Sequence, residues 1–290
     1  HGRTTVYPPK FGYVRVTSLE EAVKVLESDE NAKILAGGQS LMPMLKLRLI
    51  RPSYLVDINR VPNLSYISIE SDRIRIGALV RHHQVEVNRD LWKIYPALPE
   101  TAVQIGDPQV RNLGTMAGSL AHADPAADWP ATLIALRASV KILGPSGIRE
   151  MPVEDFITGP FTTALGRGEV ISEIVIPRFS GNVKSSYVKL ERKAGDFAVV
   201  GVAVMLRLSQ DGSVEDASIG VTAAGPKPFR AREAEKALIG RKPTDDVIED
   251  AAEKAMRESS PISDIRGSAE YKRAMVKVIT RRAIRNALSR

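Results

Sequence analysis

The sequence predicts an α+β protein assembled from two or three compact units. Three observations carry that reading. Residues 11–36 run extended, then helical, then extended; the middle of the chain from residue 139 is strand-rich; and the last third has three strand patterns followed by three helical ones. At 290 residues there is ample material for separate cores. The 43% apolar and 26% charged content is that of an ordinary globular protein, so a disordered chain is excluded.

Phe11, Tyr13, Val14 and Val16 read as extended. Thr17-Ser18-Leu19-Glu20-Glu21 then opens a helix, with Ser18 or Thr17 as cap and acids in the first turn. Leu19, Ala22, Val23, Val25 and Leu26 give it one apolar face, and it should end near Ser28-Asp29. Residues 33–36 return as a strand into Ala36-Gly37-Gly38-Gln39-Ser40-Leu41. Adjacent glycines leave the main chain bare, and Gln39 and Ser40 add donors, which suits a pyrophosphate. An ordinary glycine turn explains the same residues.

Farther on, residues 43–48 suggest a helical turn, 54–58 a strand, and 59–63 a turn. Residues 66–69 and 73–77 alternate around Ser71-Asp72, as a hairpin does. Residues 80–87 and 91–105 read as largely helical. His82 and His83 would diverge by about 100° on a helix, so surface or capping roles are expected rather than a shared metal.

A second informative stretch runs from Gln109 to Asp128 and includes Thr115-Met116-Ala117-Gly118-Ser119. It has the character of the first: small residues, hydroxyls and a bare backbone. Asp124 and Asp128 follow, ahead of a helix over 129–136. Two such loops can close on the ends of a long phosphate-bearing ligand, and the carboxylates could accept from ribose hydroxyls or an adenine amine. Helix capping by the two aspartates, or a metal held by His122, Asp124 and Asp128, are the alternatives.

Strands are expected over 139–143, 149–153 and 169–177, with a linker at 177–182. Three more follow at 185–191, 198–208 and 214–221, then helices over 230–238, 245–259 and 269–289. Tyr271, Met275, Val278 and Ile279 are read as one face of the last helix.

Lys and Arg number 41 against 34 Asp and Glu, a formal charge of +7. The excess is concentrated in Lys272, Arg273, Lys277, Arg281, Arg282, Arg285 and Arg290, with no acid among them after Tyr271. No zinc-finger or aromatic RNA-binding pattern accompanies it, so an acidic partner subunit accounts for the charge as well as nucleic acid does. With no cysteine, these residues hold no disulfide and no cysteine-ligated iron–sulfur cluster. No apolar run approaches the ~18 to 20 residues of a membrane span, and no signal segment is evident. A cytoplasmic location is expected.

Ala36-Gly37-Gly38-Gln39-Ser40-Leu41, followed by Lys46-Leu47-Arg48, resembles the first flavin loop of the medium, FAD-binding subunits of molybdenum hydroxylases, the carbon monoxide dehydrogenase and xanthine dehydrogenase relatives. Arg111-Asn112-Leu113-Gly114-Thr115 through Ala126-Ala127-Asp128 resembles their second loop. Tyr187-Val188-Lys189, Arg192 and Gly195-Asp196-Phe197-Ala198 resemble a third signature, and Tyr7-Pro8-Pro9 also fits.

The resemblance implies a two-subdomain FAD-binding fold of the vanillyl-alcohol-oxidase (PCMH) type, at residues 1–60 and 61–177. A C-terminal α+β domain at 178–290 would carry a three-stranded antiparallel sheet and helices. It further implies that residues 36–41 and 115–119 hold the pyrophosphate region of FAD and Asp124 and Asp128 the ribose and adenosine side. Ile171 would pack near the adenine or ring, and Lys189 would approach the isoalloxazine and tune it. The implied partners are a molybdopterin-binding large subunit, a [2Fe–2S] small subunit and an external electron acceptor. Ala117 departs from the family's double glycine, and FAD binding is expected to survive the change. A free-standing flavin oxidoreductase, or a scaffold subunit with a basic terminal helix, are the competing readings.

Overall fold

The computed structural model describes residues 12–29, 32–35 and 54–290, without the side chains of Leu35 and Tyr54. The stretch Ala36–Leu41 lies outside the described residues, as do Lys46-Leu47-Arg48 and Tyr7-Pro8-Pro9.

Strands β1 (Gly12–Arg15), β2 (Lys33–Leu35) and β3 (Tyr54–Asp57) form a parallel sheet with β3 in the centre. Helix α1 (Leu19–Ser28) links β1 to β2. Ser18 caps it by accepting from the Glu21 N–H at 3.2 Å, while the Glu21 carboxylate returns to Thr17. Its buried Leu19, Ala22, Val23 and Leu26 pack with Val16, Val56 and Ile58 in a small core of their own.

The next unit is a five-stranded antiparallel sheet wrapped by short helices. Its elements are β4 (Ile67–Ile69), β5 (Arg73–Gly77), α2 (His82–Glu86), α3 (Arg89–Ile94), α4 (Ala97–Val103), α5 (Pro108–Leu113), α6 (Met116–His122) and α7 (Trp129–Ala135). They continue with β6 (Ser139–Gly144), β7 (Gly147–Pro152), α8 (Val153–Phe156), a small hairpin of β8 (Ile157–Gly159) and β9 (Thr162–Thr163), and β10 (Val170–Pro177). Strand order is β4-β5-β10-β6-β7. Ile74, Ile76, Val140, Ile142, Ile174 and Ile176 project from it into a core shared with Leu91, Tyr95, Leu98, Met116, Leu120 and Trp129.

The segment read from sequence as a bare loop, 109–128, is largely helical. Asp107 caps α5 by accepting from Val110 N–H at 2.9 Å, with Pro108 in the first turn. Thr115 caps α6 by accepting from Gly118 N–H at 3.0 Å. Helices of 6 and 7 residues are too short to show a period.

Strands β11 (Asn182–Leu190), β12 (Val200–Leu208), β13 (Val214–Thr222) and β14 (Phe229–Arg230) make the last sheet, antiparallel and in sequence order. The sequence predicts three of these; the two-residue β14 leaves no pattern. Helices α9 (Arg232–Leu238), α10 (Asp245–Glu258) and α11 (Ala269–Leu288) cover one face.

In α11 the buried stripe is Lys272, Val276, Ile279, Thr280, Ala283, Ile284 and Ala287. Tyr271 is 46% exposed, so the apolar face is rotated from the expected one. Its cations are largely matched within the chain: Lys277 and Arg281 pair with Glu249 at 3.0 and 2.7 Å, Arg285 with Asp245 and Lys272 with Asp264, while Arg290, just beyond the helix, pairs with Glu100. Acids of α10 therefore answer much of the charge that the sequence offered to an outside partner. Among the described residues no helix is long and apolar enough to cross a membrane.

Helix α7 lies directly on the last sheet. Ala97, Ala131, Ala135, Ala203 and Tyr187 form a buried seam between the units. Gly220 of β13 permits the approach, because a Cβ there would collide with the Ala131 carbonyl.

Candidate functional site

The second stretch is anchored by an isolated bridge between Arg81 and Thr115. His82 N–H donates to the Gly114 carbonyl at 3.0 Å, and Met116 N–H to the Val80 carbonyl at 3.2 Å. Ser119 N–H donates to the Thr115 carbonyl, so part of the main-chain donor set is already used within the protein. Thr115 is 2% exposed and its hydroxyl is taken by the Gly118 N–H, so the half-buried Ser119 hydroxyl, beside the half-buried Gly118, is what this turn presents as polar surface. Ala117 is helical, has no left-handed backbone, and is 6% exposed within the main core. Its methyl group is absorbed by packing, so the departure from glycine costs the loop nothing in conformation.

The arginine at 81 was not singled out by sequence reasoning. It reaches the Leu113 carbonyl through Nη1 and Asn59 Oδ1 through Nη2, the latter at 3.2 Å. Asn59 in turn donates to Asp57 Oδ1 through its main-chain and side-chain nitrogens, both at 2.8 Å. Asp57 stands in register with Leu35 at the carboxyl ends of β3 and β2. The last described residue before Ala36 and the run leading into Thr115 are thus tied to one place, the side of a parallel sheet where ligands bind.

His82 is buried, contrary to the surface or capping role expected. Its Nδ1 accepts from Trp129 Nε1–H at 2.9 Å, and burial lowers its pKa to about 4, so it is neutral. Gly114 is required beside it, since a Cβ would lie 2.7 Å from His82 Nε2. His83 is exposed and 3.6 Å from Glu86.

Asp124 closes a turn, its Oδ1 accepting from Ala126 N–H at 2.9 Å. The residues after it are fastened to the last sheet: Ala223 N–H donates to the Pro125 carbonyl, Ala198 N–H to Ala126, and Thr222 Oγ1 to Ala127 at 2.7 Å. Asp128 makes no cap bond to α7. It is 6% exposed, accepting from the Tyr187 hydroxyl on Oδ1 and from Lys189 Nζ at 3.0 Å on Oδ2. The Lys189 side chain is 1% exposed; Nζ also donates to the Gln104 carbonyl at 3.1 Å and stands 3.4 Å from Glu191 Oε2.

Residues 187 and 189 share a face of β11, as alternate strand residues must. Gly201, in register with Lys189, leaves room for the Tyr187 hydroxyl, which a Cβ would approach to 2.5 Å. The lysine charge is therefore matched by two carboxylates, and both Asp128 oxygens are engaged inside the protein. Ile171 is 4% exposed within the main core, on β10 beside a bulge, and is not brought to this cluster.

Burial raises the Asp128 pKa to about 6, with Lys189 and Tyr187 opposing, and drives Tyr187 well above its ordinary value. A carboxyl raised from 3.8 to about 6 holds more protons folded than unfolded. Its contribution to stability is then largest below the lower value and is lost as pH rises through the upper one. The difference in stability between the native chain and Asp128→Asn should change across that window and be flat above it. Urea unfolding at a series of pH values measures this, and a flat difference throughout would contradict the raised pKa.

The corner preceding α5 joins the pieces. Arg111 donates through Nη1 to the carbonyls of Val103, Ile105 and Gly106, and through Nε to Glu86 at 2.9 Å. Gly195, with φ at +80°, packs on the same corner, where a Cβ would come within 3.0 Å of the Gly106 carbonyl. The second and third sequence signatures thus meet around residues 103–106.

Residues 9–179 match the family described as the FAD binding domain in molybdopterin dehydrogenase, and residues 185–287 the CO dehydrogenase flavoprotein C-terminal domain. The chain belongs to the FAD-binding medium subunits of the molybdenum hydroxylases. Among such medium subunits it is 43% identical to the glyceraldehyde dehydrogenase medium chain of Sulfolobus acidocaldarius, over 97% of this chain and 99% of that one. It is 39% identical to the carbon monoxide dehydrogenase medium chain of Hydrogenophaga pseudoflava, over 98% and 99%. A solved structure of the H. pseudoflava carbon monoxide dehydrogenase, lacking the Mo-pyranopterin moiety of its cofactor, superposes with a TM-score of 0.94 at 40% identity, covering 98% and 99%. Quinoline 2-oxidoreductase from Pseudomonas putida 86 gives 0.92 at 35% identity, covering 98% of each chain.

Proposed function

We propose that this medium subunit holds FAD between the first and second stretches and the last sheet. It would pass electrons from a [2Fe–2S] partner subunit to an external acceptor, in an assembly whose large subunit carries molybdopterin. The observation that carries the reading is the Asp128–Lys189 pair, which joins the second stretch to the third signature across 61 residues of sequence. Bound FAD supplies the redox chemistry, exchanging electrons singly or in pairs. The chain's own residues bind and orient it.

Ala36, Gly37, Gly38, Gln39, Ser40 and Leu41, with Thr115, Met116, Ala117, Gly118 and Ser119, are assigned to the pyrophosphate region. Small residues, hydroxyls and a half-buried Gly118 are the donor set such a group needs. Asp124 is assigned to the adenosine side. Asp128 and Lys189 reach the cofactor's surroundings as a pair, and Ile171, apart from that pair, is assigned to packing near the adenine or ring. The units are proposed to divide at 60/61 and 177/178, in a PCMH-type arrangement. The assembly is proposed to be cytoplasmic, which cell fractionation can check. The substrate belongs to the large subunit.

Ser119→Ala should weaken FAD binding by about 2- to 10-fold, the worth of one neutral hydrogen bond, and Thr115→Ala by a similar factor through loss of the cap that orders the start of α6. Titration of flavin-depleted assembly with FAD reads this from fluorescence quenching. Unchanged dissociation constants for both variants would remove the second stretch from the site.

A further inference from the structure

A diphosphate brings negative charge that hydroxyls and main-chain N–H groups offset only in part, and cations complete such sites. The cations nearest the second stretch are mostly committed elsewhere. Arg111 is spent on Glu86 and three carbonyls, and Lys189 on Asp128 and Glu191. His122 has its pKa lowered by burial and lies edge-on to Phe161, with ring centroids 5.3 Å apart.

Arg81 is different. Its guanidinium meets two neutral acceptors, the Leu113 carbonyl and Asn59 Oδ1, and among the described residues no carboxylate pairs with it. It is half-buried, and desolvation alone acts on its pKa, downward, with no acid opposing. A cation in that setting bears a desolvation cost that its neutral partners do not return. The bridge to Thr115 fixes where its main chain stands, and the contact with the Leu113 carbonyl holds the guanidinium beside the residues that lead into Thr115. Two N–H groups are engaged, so donors of the planar fork remain, in the geometry that takes two phosphate oxygens at once.

We infer that Arg81 is a cofactor-binding residue, a guanidinium that pairs with the diphosphate of FAD beside Thr115–Ser119. This rests on the chain being an FAD-binding subunit and adds the charged contact that the glycine- and hydroxyl-rich stretch lacks.

The test is titration of flavin-depleted assembly with FAD at low and high salt, comparing the native chain with Arg81→Lys and Arg81→Met. Arg81→Met should raise the dissociation constant by about 10- to 100-fold at low salt, the worth of a charge-assisted hydrogen bond. It should also weaken the dependence of binding on salt. Arg81→Lys should recover part of both. An unchanged constant in Arg81→Met overturns the inference. So does an equal loss at both salts with Arg81→Lys as poor as Arg81→Met, since Arg81 would then only brace Leu113 and Asn59. Native assembly that takes up no FAD would instead overturn the reading of the site itself.

Discussion

Lys189→Met is expected to lower the unfolding free energy by about 3–5 kcal/mol, the cost of stranding one member of a buried ion pair. The substitution keeps most of the apolar stem and removes the charge, so packing loss is minor. Asp128 would then be left with the Tyr187 hydroxyl as its remaining donor, at 6% exposure, and Gln104 would lose the donor on its carbonyl. Adding Asp128→Asn should restore much of the loss, because an amide needs no counter-charge. Urea unfolding of the two single variants and the double reads the coupling directly. A loss below about 1 kcal/mol for Lys189→Met would show the pair behaving like a solvent-exposed one.

Gly220→Ala should destabilise by about 1–3 kcal/mol or more, although backbone preference alone points the other way. Alanine stiffens the unfolded chain, and Gly220 has no left-handed backbone to protect. Sterics decide the sign. The new methyl would overlap the Ala131 carbonyl, a main-chain atom that cannot swing aside. Helix α7 would have to lift from β13, and it begins at Trp129, next to Asp128. The Asp128–Lys189 pair and the Trp129–His82 hydrogen bond should both be disturbed. Thermal unfolding followed by tryptophan fluorescence measures stability and displacement together. A variant as stable as the native chain with an unshifted Trp129 spectrum would mean that the two units tolerate separation there.

Much of the framework is legible in the sequence because its signals are local. The 67–77 hairpin alternates around Ser71-Asp72, and the three long strands of the last sheet carry their own apolar runs. Helices α10 and α11 start at Thr244 and Ser268 caps and are long enough to show a stripe. What escaped is short or distant. Helices α5 and α6 look like loop because six and seven residues are too few to show a period, and α6 is built largely of small residues. The burial of His82 depends on Trp129, which lies 47 residues away.

The candidate site divides in the same way. Asp128 stands out in the sequence as a candidate carboxylate, Lys189 draws attention only through the family resemblance, and the structure joins them to each other. That partnership requires the fold of two units and has no local signature. Arg81 lies in no motif, and only its position opposite Thr115 draws attention to it.

This chain is expected to carry FAD as a medium subunit of a molybdenum hydroxylase assembly. Acid extraction of FAD from the purified assembly, with quantitation against this chain, tests it most directly. Equimolar FAD is the expected result. An intact assembly that yields no FAD, and takes none up on incubation, would contradict it.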